Sequence, residues 1–209
     1  REGKGTFDVT IIRDTIVIPS VELEIGQWGN EGWEQTEDGP VAWLKLQKFG
    51  DNTQGEWDAA VRDILNKKSQ LKGIVLDVRN NPGGYMKTAV NLASDFITDG
   101  VVVQQQDRWN TETFSVSREA RLHGIPLVVL INGGSASSSE IISGALRDRT
   151  DALLIGEKSF GKGTVQQALD LQYGAGLHVT AAKWLLPSGE WIHDKGIEPA
   201  IPVELPDID

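Results

Sequence analysis

Between residues 41 and 155 the hydrophobic positions switch repeatedly between a period near two and a period near 3.6, the mark of alternating strands and helices. Residues 41–48 alternate and predict a strand, and Trp57, Val61, Ile64 and Leu65 fall on one face of a helix over 55–68. Residues 73–78 (GIVLDV) are the short apolar run of a buried strand. The turn RNNPGG follows, then a helix over 86–98 with Val90, Ala93 and Ile97 in register and Gly100 as its stop. A hairpin is expected from 101–106 and 112–117 around Trp109 and Asn110, then a strand at 126–131, a helix at 137–148 and a strand at 151–155. Residues 164–193 read as strands with a PSG turn at 187–189. The pattern predicts an α/β domain of β-β-α units without sequence repeats.

Ahead of this body, residues 7–12 (FDVTII) read as a strand, and residues 15–18 run to Pro19 as an extended leader. Residues 26–40 (GQWGNEGWEQTEDGP) lack either period and are expected to form a loop. Its Trp28 and Trp33 either pin the loop to the body or form a surface for a partner or substrate.

Composition narrows the chemistry. With 30 acidic against 20 basic residues the formal charge is −10, and no compact Lys/Arg block offsets it locally, so nucleic acid is not an expected partner. The absence of cysteine excludes disulfides, thiolate catalysis and cysteine-bound zinc. The longest apolar runs, Ile74–Leu76 and Leu127–Ile131, fall far short of the ~18 residues of a membrane span. The 209 residues suit one domain or one with a small appendage, and a start at Arg1 in place of Met suggests a fragment or a processed product.

Four local features could carry chemistry. The serine cluster NGGSASSSE at 132–140 stands where a buried strand meets a helix, which can set a hydroxyl beside helix N-terminal N–H groups; ordinary capping with Glu140 would look the same. GEKSFGKGT at 156–164 nearly matches a phosphate-binding loop, but Gly163 stands where the Ser or Thr should follow the lysine, and glycine opens a helix poorly. RNNPGGY at 79–85 could form a nest of N–H groups for an anion, or simply a Pro-Gly turn. His123, His178 and His193 lie in polar settings that favour surface or loop histidines, although spacing alone cannot reject a triad, and no pair has zinc-site spacing.

Together, GIVLDVRNNPGG at 73–84, INGGSASSSEIISGALRD at 131–148, IGEKSFGKGTVQ at 155–166 and LLPSGEWIHDKGIEP at 185–199 strongly resemble the C-terminal processing peptidases, or tail-specific proteases. The four motifs occur in the family's order over about residues 41–205. The resemblance implies a Ser-Lys serine endopeptidase with a ClpP/crotonase-like core and additional β strands at both ends. Residues 1–20 would be the last strand of a PDZ module and its linker, and 21–209 the protease core. Carried over by position, Ser137 is the expected nucleophile, Lys162 the general base and Gln166 the residue that positions the lysine. Gly83 and Ser138 would supply oxyanion-hole N–H groups; the family commonly has Ala at the latter, a change that keeps the main-chain donor. Asp148 matches an acidic position with a supporting role.

The implied enzyme needs no cofactor or metal. It acts outside the cytoplasm on polypeptides with C-terminal tails, and homo-oligomers remain open. A non-catalytic peptide-binding or resting core of the same fold is the alternative reading, and a P-loop-like nucleotide binder a remote one. Lys162 must be a neutral amine to take the Ser137 proton, a state that desolvation favours. Four positions along a regular strand span about 13 Å, so contact between Gln166 and Lys162 requires a bulge or bend near Gly163.

Overall fold

The computed structural model describes residues 18–29, 32–34 and 39–203. The strand expected at 7–12 falls outside the described residues. Apolar alternation at Val41–Leu46 yields β3, whose Ala42, Leu44 and Leu46 point into the core, and the run Gly73–Asp77 yields β4, buried at four of its five positions. Leu127–Ile131 and Leu153–Gly156 form β7 and β8. These four strands pair in parallel in the order β3-β4-β7-β8, and Ile201–Pro202 (β11) adds in parallel to β8. The other edge is antiparallel: Val21–Gly29 (β1) pairs with β3, and Gly32–Glu34 (β2) with β1.

That last hairpin corrects the expected loop at 26–40. Trp28 stands opposite Trp33 in the β1–β2 register. The Trp33 ring meets Trp43 edge-on at 5.3 Å, while Trp28 remains exposed. Anchoring on Trp43, a residue of another strand, gives 32–34 a partner that no local period records.

The parallel strands are joined by helices. Thr53–Asn66 (α1) buries Thr53, Trp57, Ala60, Val61 and Ile64, the face read from the sequence. Met86–Ala93 (α2) ends five residues before the expected limit of 98. Asp95 and Phe96 donate to carbonyls three residues back, at 3.2 and 3.0 Å, so the chain tightens out of α-helix while Ile97 keeps its place in the core. Asp95, fully buried, accepts bonds from Trp57 Nε1 at 2.7 Å and from Arg121 Nε at 2.6 Å, tying α1, α2 and the segment before β7 together.

Val101–Gln106 (β5), Thr111–Ser115 (β6), Thr164–Asp170 (β9) and Gly176–Leu185 (β10) build a second, antiparallel sheet. Its order is β6-β5-β10-β9. The expected strands over 164–193 stop at Leu185, where the turn Leu186–Glu190 begins. Helix α3, Ser138–Arg149, runs between β7 and β8 and buries every residue from Ser138 to Leu146. The α/β class and the strands at both ends agree with the sequence reading.

Candidate active site

The loops that follow β4, β7 and β8 converge at the carboxyl ends of the parallel strands, where open α/β sheets place ligand sites. After β4, buried Asp77 accepts from Arg79 Nε at 2.9 Å, and from the Arg79 N–H at 3.0 Å, fixing the start of the RNNPGG turn. Asn81, also buried, donates from Nδ2 to Leu46 O at 2.6 Å and accepts the Gly83 N–H at 2.9 Å on Oδ1. Its carbonyl accepts the Ala136 N–H at 3.0 Å and the Ser139 hydroxyl at 2.8 Å. One asparagine thereby locks the Gly83 turn to the start of α3. A Cβ at Gly83, where φ is +98°, would come within 2.8 Å of Ser137 Cβ and 2.7 Å of Ala136 O, so the close approach of this turn to Ser137 requires glycine.

The serines of the cluster separate by their partners. Ser135 donates to Val78 O, Ser138 to Gly84 O and Ser139 to Asn81 O, each at 2.8 Å. Ser137 is the one serine of the cluster whose hydroxyl donates to no group among the described residues. It is the N-cap of α3 with φ 56° and ψ −116°, a left-handed conformation that costs a non-glycine residue on the order of 1–3 kcal/mol. The sharp strand-to-helix turn holds its half-exposed side chain at the N-terminus of α3. The capping reading also holds, since the Ser137 N–H donates to Glu140 Oε2 at 2.8 Å.

Glu140 does far more than cap. Fully buried, it accepts the Ser159 hydroxyl at 2.6 Å and the Gly161 N–H at 2.7 Å on Oε1. The Lys162 N–H, at 2.9 Å, shares Oε2 with the Ser137 N–H. Four donors saturate one carboxylate, and through it the Ser137 elbow and the Lys162 turn are held on a single oxygen. The sequence shows this residue only as a capping signal; its reach to residues 159–162 depends on the fold.

This arrangement also disposes of the phosphate-loop resemblance. The N–H groups of Gly161 and Lys162 are occupied by the protein's own carboxylate, and the segment leads into strand β9, not into a helix. Residues 191–196 buttress the lysine turn from behind. Gly163 O accepts from Trp191 Nε1 at 2.8 Å, Gly163 N–H points at His193 Nδ1 at 3.4 Å, and Asp194 N–H donates to Gly161 O at 2.9 Å. A Cβ at Gly163 would come within 2.8 Å of His193 N. Of the three histidines, His193 alone is thus brought beside the lysine turn, where its ring serves as a half-buried acceptor; His123 and His178 are exposed.

The remaining expected residues are distributed unevenly. Ser138 N–H has no acceptor among the described residues, whereas Gly83 N–H is held by Asn81. Among the described residues no hydrogen bond joins the Ser137 hydroxyl to Lys162 Nζ, or Lys162 to Gln166. Gln166 is exposed on β9; among the described residues no bulge is recorded near Gly163, and the register shift of this strand pair lies on β10, between Thr180 and Ala182. Asp148 stands at the other end of α3, accepting from Arg147 Nε at 2.8 Å and from the Ser188 N–H at 3.0 Å. Its support goes to the 186–190 turn, about 16 Å along the helix from Ser137.

The sequence profile of peptidase family S41 matches residues 40–203. The chain belongs to that family. It is 39% identical over 209 residues to the carboxy-terminal processing protease CtpA of Bacillus subtilis, covering 99% of this chain and 42% of that protein. It is 37% identical, over 99% of this chain and 40% of the relative, to a probable CtpA-like serine protease of Staphylococcus epidermidis. The chain therefore spans less than half the length of these family members. Among solved structures, the photosystem II D1 C-terminal processing protease superposes with a TM-score of 0.76 at 31% identity, covering 92% of this chain and 50% of that one.

Proposed function

We propose that the chain carries the catalytic core of a serine endopeptidase that cleaves polypeptides near their C-termini through a Ser-Lys dyad. The observation that carries this reading is the strained Ser137 elbow sharing the Glu140 carboxylate with the Lys162 turn. Neutral Lys162 Nζ takes the hydroxyl proton as Ser137 Oγ bonds to the scissile carbonyl carbon, and the carbonyl π electrons move to oxygen. Ser138 N–H, at the positive end of α3, stabilises that oxyanion, with Gly83 N–H as second donor once it turns from Asn81 Oδ1. Collapse breaks the C–N bond and Lys162 returns its proton to the leaving amine. Water then hydrolyses the Ser137 ester by the same route. Gln166, whose side chain makes no hydrogen bond among the described residues, orients the lysine as the dyad closes around substrate.

The names of the relatives support polypeptide substrates with C-terminal tails, and the family resemblance supports an extracytoplasmic site of action. No described helix is long and apolar enough to cross a membrane. A fluorophosphonate should label wild-type protein at Ser137, and Ser137→Ala and Lys162→Met should each lower peptide cleavage by about a thousandfold or more. Cleavage by Lys162→Met at the wild-type rate would remove the lysine from the mechanism. A label that fails to attach to Ser137 while peptide binding persists would favour the non-catalytic core.

A further inference from the structure

Lys162 sits between two peptide units, and each is pinned by a titratable side chain. The unit before it carries the Lys162 N–H, which donates to Glu140 Oε2 at 2.9 Å. The unit after it carries the Gly163 N–H, and its orientation sets ψ of Lys162, hence the direction in which the lysine side chain leaves the backbone. Gly163 is buried, and its N–H finds its acceptor among the described residues in His193 Nδ1, at 3.4 Å. Three consecutive N–H groups, of Gly161, Lys162 and Gly163, thus end on side chains, two on Glu140 and one on His193. Gly163 O accepts from Trp191 Nε1 at 2.8 Å and from the Trp184 N–H at 3.2 Å. The Trp191 and His193 rings lie side by side, centroids 5.4 Å apart. A Cβ at Gly163 would come within 3.0 Å of both His193 Cβ and Trp191 Nε1, so glycine lets this pair of rings close on the turn.

An imidazole nitrogen accepts a hydrogen bond only while it carries no proton. The bond from Gly163 therefore requires neutral His193 with its hydrogen on Nε2, where Asp194 Oδ2 stands 3.8 Å away. A proton on Nδ1 sets N–H against N–H, and a buried donor left without an acceptor drives its peptide to turn. Imidazole is the side chain that makes this change between pH 5 and 8. We propose that His193 is a positioning residue for Lys162: neutral, it latches the Gly163 peptide and aims the lysine; protonated, it releases the turn. This rests on the peptidase reading and adds to it a second proton control, separate from the proton on Lys162 itself.

The charged groups around His193 come from several elements. Asp194 and Lys195 belong to its own segment, and Lys183 on β10 holds its Nζ 5.3 Å from the Trp191 ring centroid. Asp107 and Arg108, in the turn between β5 and β6, line one cleft with His193, and Asp107 Oδ1 is occupied there by the N–H groups of Trp109 and Asn110 at 2.6 and 2.7 Å. Glu140, on α3, anchors the two N–H groups that precede Gly163. Replacing His193 by asparagine leaves every one of these charges in place. It puts an acceptor oxygen at the position of Nδ1 and removes only the site of protonation.

The test follows peptide cleavage by the 209-residue chain across pH and takes the ratio of kcat in His193→Asn to kcat in wild type, in which the titration of Lys162 cancels. As pH falls from about 8 to about 5.5 this ratio should rise about tenfold, the loss of neutral form that an imidazole undergoes over that range. His193→Phe, which offers no acceptor, should cut at about a tenth of the His193→Asn rate near the upper end of that range. In amide NMR spectra of wild type, the Lys162 and Gly163 N–H signals should move with the His193 ring protons, and they should stay still in His193→Asn. A flat rate ratio, equal rates for the two variants at high pH, or a Gly163 signal indifferent to the titration of His193 overturns the proposal. If both amides follow the ring while wild type cuts no peptide at any pH, the latch stands and only the peptidase reading falls.

Discussion

Replacing Glu140 by glutamine tests whether the shared carboxylate holds the Ser137 elbow and the Lys162 turn together. Glutamine keeps one acceptor oxygen and puts an NH₂ group where the other was. With the NH₂ at the Oε2 position the N–H groups of Ser137 and Lys162 face a donor; with it at Oε1 the Gly161 N–H does, while the Ser159 hydroxyl can turn to accept. The loss of at least one charge-assisted bond and the weakening of the others put the cost at about 2–4 kcal/mol, a large part of the ~5–15 kcal/mol that holds a domain folded. Urea unfolding followed by tryptophan fluorescence reads this directly. In protein that stays folded, the Ser137 elbow and the Lys162 turn lose their common anchor, and a misplacement of about 1 Å costs about a hundredfold in rate. Fluorophosphonate labelling of Ser137 and kcat should fall together while KM changes little. Stability within about 1 kcal/mol of wild type together with an unchanged labelling rate would refute the clamp.

Three further outcomes follow from the packing. Gly83→Ala should destabilise by about 1–3 kcal/mol, because alanine resists a φ of +98° and its methyl group would press on Ser137; equal urea midpoints would contradict the close approach. Asp95→Ala should cost about 1–3 kcal/mol by leaving the buried Trp57 N–H without its acceptor, while Arg121 keeps its pair with Asp58 at 2.6 Å, and should leave Ser137 labelling of the folded protein unchanged. Burial alone would raise the Asp58 carboxyl, but the hydrogen bond from Arg121, that from Gln54 and the nearby guanidinium charges together hold it below the ordinary carboxylate value. Its contribution to stability is therefore complete above the unfolded value near pH 4 and lost as pH falls through the lower folded one; Asp58→Asn should flatten acid unfolding there, and an unaltered acid transition would argue against the pairing.

Local pattern carried the strands β3, β4, β5 and β7 and the helices α1 and α3 to within a few residues, because burial on one face repeats at the period of the element itself. It misread 26–40, since the hairpin there gains its anchor from Trp43 on another strand, and it overran α2, since the hydrogen bonding tightens at Asp95 while the apolar register continues through Ile97. The site divides in the same way. Four ordered motifs pointed to Ser137, Lys162, Gly83 and Ser138 by resemblance alone, and composition excluded thiol chemistry. Which serine of the cluster keeps its proton free, and what fills the N–H groups of the lysine loop, depended on partners 21 to 58 residues away, as in Gly161 with Glu140 and Ser139 with Asn81. Asp148, in the same motif as Ser137, was separated from it by the length of a helix. Sequence by itself determined the elements and the inventory of reactive groups, because those follow from neighbours along the chain. Tertiary structure decided which groups meet, because a buried polar atom must take whatever partner the packed fold brings within reach.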